Sequence, residues 1–180
     1  MARLFLHLSA LPWRGVALAA LVLSSAPAVV EGASADEQAT KVAMIYNFSR
    51  FTLWPDSRFA SPADPVVLCV DPEAALAGPL QGVSGKPVGS RTLVVRQTSR
   101  IDHSCQMAYV AARDVTDGYV SDLRDKGVLT VGETPGFTRD GAIQLVTIGR
   151  QVRFEISQRN ALAAGAHLSS NLLRLAVAVH

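Results

Sequence analysis

Residues that could serve as nucleophiles, general bases or metal ligands are scattered along the 180-residue chain. The sequence has no Gly-x-Ser-x-Gly turn to expose a catalytic serine, and no closely spaced pair of cysteines or histidines to bind a metal. Residues 82–86 are similar to a phosphate-binding loop, but Pro87 stands where that loop needs Ser or Thr. We therefore predict no catalytic residue, no metal site and no cofactor, and the sequence does not indicate an enzyme.

The two cysteines, Cys69 and Cys105, have three alternative roles. In an oxidising compartment they most simply form a disulfide, which would close a loop of about 36 residues and stabilise the fold by about 3–4 kcal/mol. Two buried thiols are the second alternative. The third is a metal site that includes His103, which precedes Cys105 by two residues. Because the chain begins with an export signal, described below, we favour the disulfide.

Arginines and aromatic residues are combined in segment 50–59, and this composition is enriched at protein interfaces. Trp54 can instead pack the first helix onto the sheet. Arg153 and Glu155 lie on the polar side of an alternating strand, where they can bind an anion or a partner, or can simply be solvated. The predicted partner- or ligand-binding residues are Arg50, Trp54, Arg58, Arg153, Glu155 and Arg174.

Residues 132–137 follow a predicted parallel strand. Loops at the carboxyl ends of such strands bind ligands, so this loop is a second candidate ligand site. A tight turn formed by Pro135 and Gly136 is the simpler interpretation.

The N-terminal residues have the pattern of a secretory signal peptide. Arg3 and Arg14 precede a short apolar run at 16–23, and small-residue cleavage sites follow. We predict a signal peptide over residues 1–35, cleaved after Ala28 or Ala35, and a single domain over 36–180. The apolar run is too short for a spanning helix, which needs about 20 apolar residues.

The bulk composition is that of a globular protein, with 49% hydrophobic and 18% charged residues. The formal net charge is only +2 and no basic cluster follows the signal. Nucleic acid is therefore not a predicted partner.

Apolar runs alternate with helical patterns through most of the chain. A first helix is predicted over 36–51, strands at 66–70, 91–96, 108–111 and 128–131, and further helices at 73–80 and 115–126. Residues 142–146 and 151–156 form a predicted hairpin around Gly149, and a final helix is predicted over 161–179 with Leu168, Leu172, Leu175 and Val179 on its core face. The predicted fold is α/β: a single compact domain whose mostly parallel or mixed sheet is flanked by helices, with a C-terminal hairpin and helix.

Five segments, in the same order, resemble the YfiR family of periplasmic proteins. They are KVAMIYNFSRFTLWP at 41–55, VLCV at 67–70, VLTVGE at 128–133, VRFEIS at 152–157 and ALAAGAHLSSNLL at 161–173. The resemblance spans nearly all of the predicted mature chain.

The resemblance implies a compact α/β fold, no enzymatic activity and a periplasmic location. It implies a protein that binds the periplasmic sensor domain of an inner-membrane diguanylate cyclase and holds it inactive, which lowers cyclic di-GMP and biofilm formation. It also implies that Cys69 and Cys105 form a stabilising disulfide, whereas a second pair found in some members is absent. A small-ligand-binding sensor is the alternative function, and a small ligand or a second copy of the chain remains open as a further partner.

For the repressor, we expect an interface made of the exposed face of the first helix and the exposed side of the Arg153/Glu155 strand.

Overall fold

The computed structural model describes residues 35–116 and 118–180. The predicted signal peptide lies outside the described residues except for Ala35, so it stays a prediction. The described residues belong to one compact unit.

The first half of the unit contains α1 (Ala35–Arg50), β1 (Thr52–Leu53), β2 (Val66–Val70), α2 (Ala77–Gln81), β3 (Pro87–Val88), β4 (Arg91–Gln97) and β5 (Met107–Val110). The second half contains α3 (Tyr119–Asp125), β6 (Leu129–Gly132), β7 (Ile143–Ile148), β8 (Gln151–Ile156), α4 (Gln158–Ala163), β9 (His167–Leu168), α5 (Ser170–Leu175) and β10 (Ala178–Val179).

An eight-stranded sheet has the order β10-β8-β7-β6-β5-β2-β4-β3. Its central strands β4, β2, β5, β6 and β7 are parallel, and β8 returns antiparallel to β7 as the predicted hairpin. β10 pairs with β8 in parallel at one edge, and β1 pairs with β9 in a separate two-stranded sheet. The predicted α/β fold with a mostly parallel sheet is confirmed.

All five residues of the central strand β2 are buried, because helices cover both faces of the sheet. On one face, Ile45 and Phe48 of α1 pack in the same core as Leu68, and the rings of Phe48 and Phe154 meet edge-on at 5.0 Å. On the other face, α3 packs against the odd-numbered residues of β2 through Val120 and Leu123.

The predicted final helix over 161–179 is wrong. Gly165 adopts a left-handed conformation with φ of 69° and ends α4, because its N–H bonds the carbonyl of Leu162. The chain then forms β9, the short helix α5 and the extended β10. Of the predicted core face only Leu172 is buried, whereas Leu175 is 64% exposed.

The other two predicted helices begin later than expected. The helix predicted over 73–80 is preceded by turns and starts at Ala77. The helix predicted over 115–126 starts at Tyr119, after Gly118 with its φ of 81°.

Candidate functional site

The six predicted binding residues lie in three separate places. Arg153, Glu155 and Arg174 lie near the β10 edge of the sheet. Arg50 and Trp54 lie where α1 ends and β1 begins, and Arg58 lies beside the segment that precedes β5.

The β10 edge is held to β8 by backbone hydrogen bonds. The N–H of Val177 donates to the carbonyl of Phe154 at 2.9 Å, and the N–H of His180 donates to that of Ile156 at 2.8 Å. Glu155 lies opposite Ala178, and its Oε2 is 3.7 Å from Nε2 of His180. The C-terminal strand therefore forms the boundary of the sheet at which the half-buried Glu155 lies.

Three aliphatic side chains remain exposed along this boundary: Leu175 at 64%, Val177 at 46% and Val179 at 45%. Arg174, in the last turn of α5, bonds Asn171 and has no carboxylate partner among the described residues. We call Arg153, Glu155, Arg174, Leu175, Val177 and Val179 the C-terminal edge surface. Exposed apolar residues at an open strand edge are typical of interaction sites.

The interface expected between the exposed face of α1 and the Arg153/Glu155 side of β8 stays a prediction. α1 packs on the side of β8 that carries Val152 and Phe154. Because side chains alternate along a strand, Arg153 and Glu155 lie on the opposite face of the sheet. Glu37 of α1 and Arg153 of β8 both line a cleft of about 670 Å³ beside the β7–β8 hairpin.

Arg50 and Trp54 border a smaller cavity. The Arg50 guanidinium lies 5.7 Å from the centre of the Tyr46 ring and 5.8 Å from that of Phe51. The indole N–H of Trp54 is buried and has no hydrogen-bond acceptor among the described residues. The ring of Trp54 also packs against the main core, as in the packing alternative, and a binding role for this residue stays a prediction.

The guanidinium of Arg58 is held by hydrogen bonds within the fold. Its Nη2 donates to the carbonyls of His103 and Cys105 at 3.2 Å each, and its Nη1 donates to that of Lys126 at 3.4 Å. Burial lowers the pKa of its guanidinium. Gly127 packs so closely that a Cβ there would lie 2.9 Å from Nη1. Arg58 therefore ties two loops together and is poorly placed to bind a partner.

A buried charge network joins α1 to the end of β6, and the sequence analysis missed it. Nζ of Lys41 lies 2.8 Å from Glu37 and 2.7 Å from Glu133, and the Tyr109 hydroxyl donates to Glu133 at 2.7 Å. Burial alone would lower the pKa of Lys41, but the hydrogen bonds and charges of Glu133 and Glu37 outweigh it and raise that pKa. Burial and Glu133 together raise the pKa of Tyr109.

Most of the side-chain surface of loop 132–137 is used in contacts within the fold. Glu133 belongs to the charge network, and the Phe137 ring lies so close to Gly132 and Gly141 that a Cβ on either would clash with it. A cleft of about 230 Å³ remains beside the loop, and the buried Thr134 hydroxyl, which lines it, has no partner among the described residues.

Residues 38–177 match a family model described as YfiR/HmsC-like. The chain belongs to the YfiR/HmsC-like family. The resemblance that the sequence motifs predict is therefore confirmed.

Other comparisons with this YfiR/HmsC-like chain are more distant. No curated protein matches it significantly. A solved structure, a conserved domain protein from Vibrio cholerae, is similar with a TM-score of 0.49 and 10% sequence identity. The match covers 79% of this chain and 60% of that one, so the chain spans about 60% of the length of that structure.

The YfiR/HmsC-like chain contains the predicted disulfide between Cys69 and Cys105. Cys69 lies in β2 and Cys105 precedes β5, and both are buried in the core under α3. The bond therefore joins β2 to the segment just before the neighbouring parallel strand β5, across a separation of 36 residues. It lowers the entropy of the unfolded chain, which stabilises the fold by about 3–4 kcal/mol.

Residues 35–116 and 118–180 are the part of the chain that the structure describes. No group of three or more His, Cys, Asp or Glu residues is placed there to hold a metal ion. No helix in that part of the chain is long and apolar enough to cross a membrane.

Proposed function

We propose that this chain is a periplasmic regulatory protein that binds the periplasmic sensor domain of an inner-membrane diguanylate cyclase and represses it. Membership of the YfiR/HmsC-like family suggests a periplasmic regulator of such a cyclase. The export signal predicted over residues 1–35 and the disulfide support the compartment, since disulfides persist in oxidising environments. A repressor needs only to bind the inactive state of the cyclase more tightly than the active state; a 100-fold preference corresponds to about 2.7 kcal/mol.

The C-terminal edge surface is the observation that carries this proposal. Val179 lies on the two-residue edge strand β10 and Val177 just before it, and each exposes nearly half of its surface. Aliphatic residues at such an edge are normally covered, and a partner protein covers them without any change of fold. Arg153 and Glu155 project from the other face of the sheet at this edge, because Glu155 pairs with Ala178 and side chains alternate along a strand. Arg174, in the last turn of α5, adds a positive charge next to Leu175 in the chain.

We infer a non-catalytic role for the chain. The proteins of this family are regulatory. The polar clusters described above make contacts that hold parts of the fold together. Examples are the ion pair of Lys41 with Glu133 and the hydrogen bonds of Arg58 to three carbonyls.

Co-purification with a membrane-bound diguanylate cyclase tests the interface. Val177→Asp places a charge in the apolar centre of the C-terminal edge surface, so we expect at least a tenfold loss of complex, equivalent to about 1.4 kcal/mol. Val94→Asp is the matched control, because Val94 is 37% exposed on β4, six strands away from β10. Equal recovery of cyclase with both variants, each shown to be folded by circular dichroism, would exclude this surface.

The alternative function is a small-ligand sensor that uses loop 132–137. The unpartnered Thr134 hydroxyl beside the 230 Å³ cleft favours it. It has less support than the repressor, because Glu133 and Phe137, the two largest side chains that this loop offers, are held inside the fold.

A further inference from the structure

The order of the parallel strands creates a crevice at one end of the sheet. β4 lies on one side of β2, whereas β5, β6 and β7 follow one another on its other side, so the strand order reverses between β2 and β5. The chain leaves β2 toward α2, which packs in the same core as α1, and it leaves β5 toward α3, which packs on the opposite face. In open α/β sheets, ligands bind at the carboxyl ends of the two strands where the order reverses. The carboxyl ends of β2 and β5 are therefore the expected place for a ligand.

A cleft of about 290 Å³ opens at this place. The loops after all three neighbouring strands line it: Asp71 follows β2, Ser99 follows β4, and Arg113, Asp114 and Tyr119 follow β5. A water molecule occupies about 30 Å³ of liquid, so the cleft has room for roughly ten non-hydrogen atoms. It therefore fits one small molecule and is too small for a nucleotide.

Arg113 holds the walls of the cleft together. Its guanidinium bonds Asp71 and lies 3.1 Å from Oε2 of Glu73 and 3.4 Å from Oδ1 of Asp114. Nη1 of Arg113 also donates to the carbonyl of Glu73 at 3.2 Å. One guanidinium thus joins the loop after β2 to the loop after β5, so the shape of the cleft is set before a ligand binds.

The charge of the cleft disfavours an ionic ligand. Asp71 and Asp114 outnumber Arg113 by one, and Glu73 adds a further negative charge that water screens, because its side chain is 83% exposed. A phosphate or carboxylate would therefore be repelled. A protonated amine would give up its hydration for carboxylates that Arg113 already neutralises in part. The ligand that fits best is neutral.

Acceptors and donors of hydrogen bonds line the cleft side by side. Asp71 and Asp114 each bond Arg113 through Oδ1, which leaves the second oxygen of each able to accept from a ligand. Burial, and then the charges of Asp114 and Asp71, raise the pKa of the Tyr119 hydroxyl, which stays protonated and can donate. Ser99 is exposed and adds a hydroxyl that can do both. Ligand hydroxyls match such a mixed set, because they also donate and accept, whereas an ammonium group only donates.

We propose that this cleft binds a neutral monosaccharide, whose hydroxyls donate to Asp71 and Asp114 and accept from Tyr119. The site goes beyond the repressor function and does not depend on it. It also differs from loop 132–137, which follows β6. It gives the protein a means of responding to a sugar as well as to a partner protein.

Titration calorimetry of the full chain tests the ligand class. The probes are four neutral sugars: D-glucose, D-galactose, D-mannose and D-ribose. We expect saturable binding of at least one of them, and no binding of putrescine, a diamine without hydroxyls, or of tetrahydropyran, a sugar-like ring without hydroxyls. Binding of none of the four sugars, or tighter binding of putrescine than of every sugar, would overturn the proposal.

Two variants locate the sugar that binds. Tyr119→Phe removes one hydroxyl and keeps the ring, so we expect about fivefold weaker binding, and Asp114→Asn removes a charged acceptor, so we expect a loss of about tenfold. Asp122→Asn is the matched control, since Asp122 is exposed on α3 and is not among the residues that line the cleft. With each variant shown to be folded by circular dichroism, full affinity in both Tyr119→Phe and Asp114→Asn would place the sugar elsewhere, and an equal loss in Asp122→Asn would do the same.

Discussion

Lys41 is a charged side chain with only 7% of its surface exposed. It belongs to a network in which Glu37 and Glu133 supply two carboxylates and Tyr109 donates a further hydrogen bond to Glu133. The network fixes α1 against the carboxyl end of β6. Removing one member of a buried ion pair is destabilising, because the remaining charge is left without compensation.

We predict that Lys41→Met lowers the free energy of unfolding by about 2 kcal/mol at pH 7, measured by urea denaturation. This value lies below the range for fully buried pairs, because both carboxylates are partly exposed. Lys126→Met, at an exposed lysine, should change stability by less than about 0.5 kcal/mol. If both variants were equally stable, the network would not contribute to the fold.

The same network predicts a pH dependence. The pKa of Lys41 is raised above 10.5, so its contribution is complete below that pH and is lost as the pH rises through the higher folded value. The hydrogen bond and charge of Lys41 lower the pKa of Glu37 below 4.5, so that contribution is present above pH 4.5 and is lost as the pH falls through the lower folded value. The stability difference between wild type and Lys41→Met should therefore be flat near neutral pH and shrink at both extremes.

Residue types alone indicated which side chains could bind a partner, but not which residues those side chains contact. Arg58 resembled a partner-binding arginine, yet its three carbonyl acceptors lie 45 to 68 residues away in the sequence. Lys41 and Glu133 are 92 residues apart. Contacts over such separations depend on the fold as a whole, so they cannot be predicted from the local spacing of residues in the sequence.

Elements with continuous β-branched runs were the most predictable. Residues 66–70 have such a run, and β2 has the same bounds in the structure. The C-terminal part was predicted poorly, because its alanines and leucines have helical spacing while Gly165 interrupts them with a positive φ. A glycine's φ is not visible in sequence, so one long helix and two short helices fit the same pattern.

Gly165→Ala distinguishes these two arrangements. In a continuous helix, alanine would stabilise the chain by about 1 kcal/mol. At the observed φ of 69°, with no atom within 4 Å of the added Cβ, backbone strain should instead destabilise it by about 1 kcal/mol. Arg159→Ala is the control, because Arg159 is exposed on α4 and alanine suits a helix at least as well, so the stability should change by less than about 0.5 kcal/mol. Thermal unfolding of both variants measures the difference.

For the molecule as a whole, the alternation of strands and helices was enough to predict a mostly parallel sheet. The edges of that sheet were not predictable. β10 is only two residues long and pairs with β8 across 23 positions, at Ala178 and Glu155. This pairing decides which side chains are exposed, so the C-terminal edge surface became visible only in three dimensions.

Cellular cyclic di-GMP tests the central claim most directly, in a strain that expresses a suitable membrane diguanylate cyclase. Deletion of this protein should raise cyclic di-GMP, and the exported wild type and Val94→Asp should both lower it again. Val177→Asp, present at the same periplasmic level, should fail to lower it. An unchanged cyclic di-GMP level on deletion would contradict the repressor function, and full complementation by Val177→Asp would contradict the role of the C-terminal edge surface.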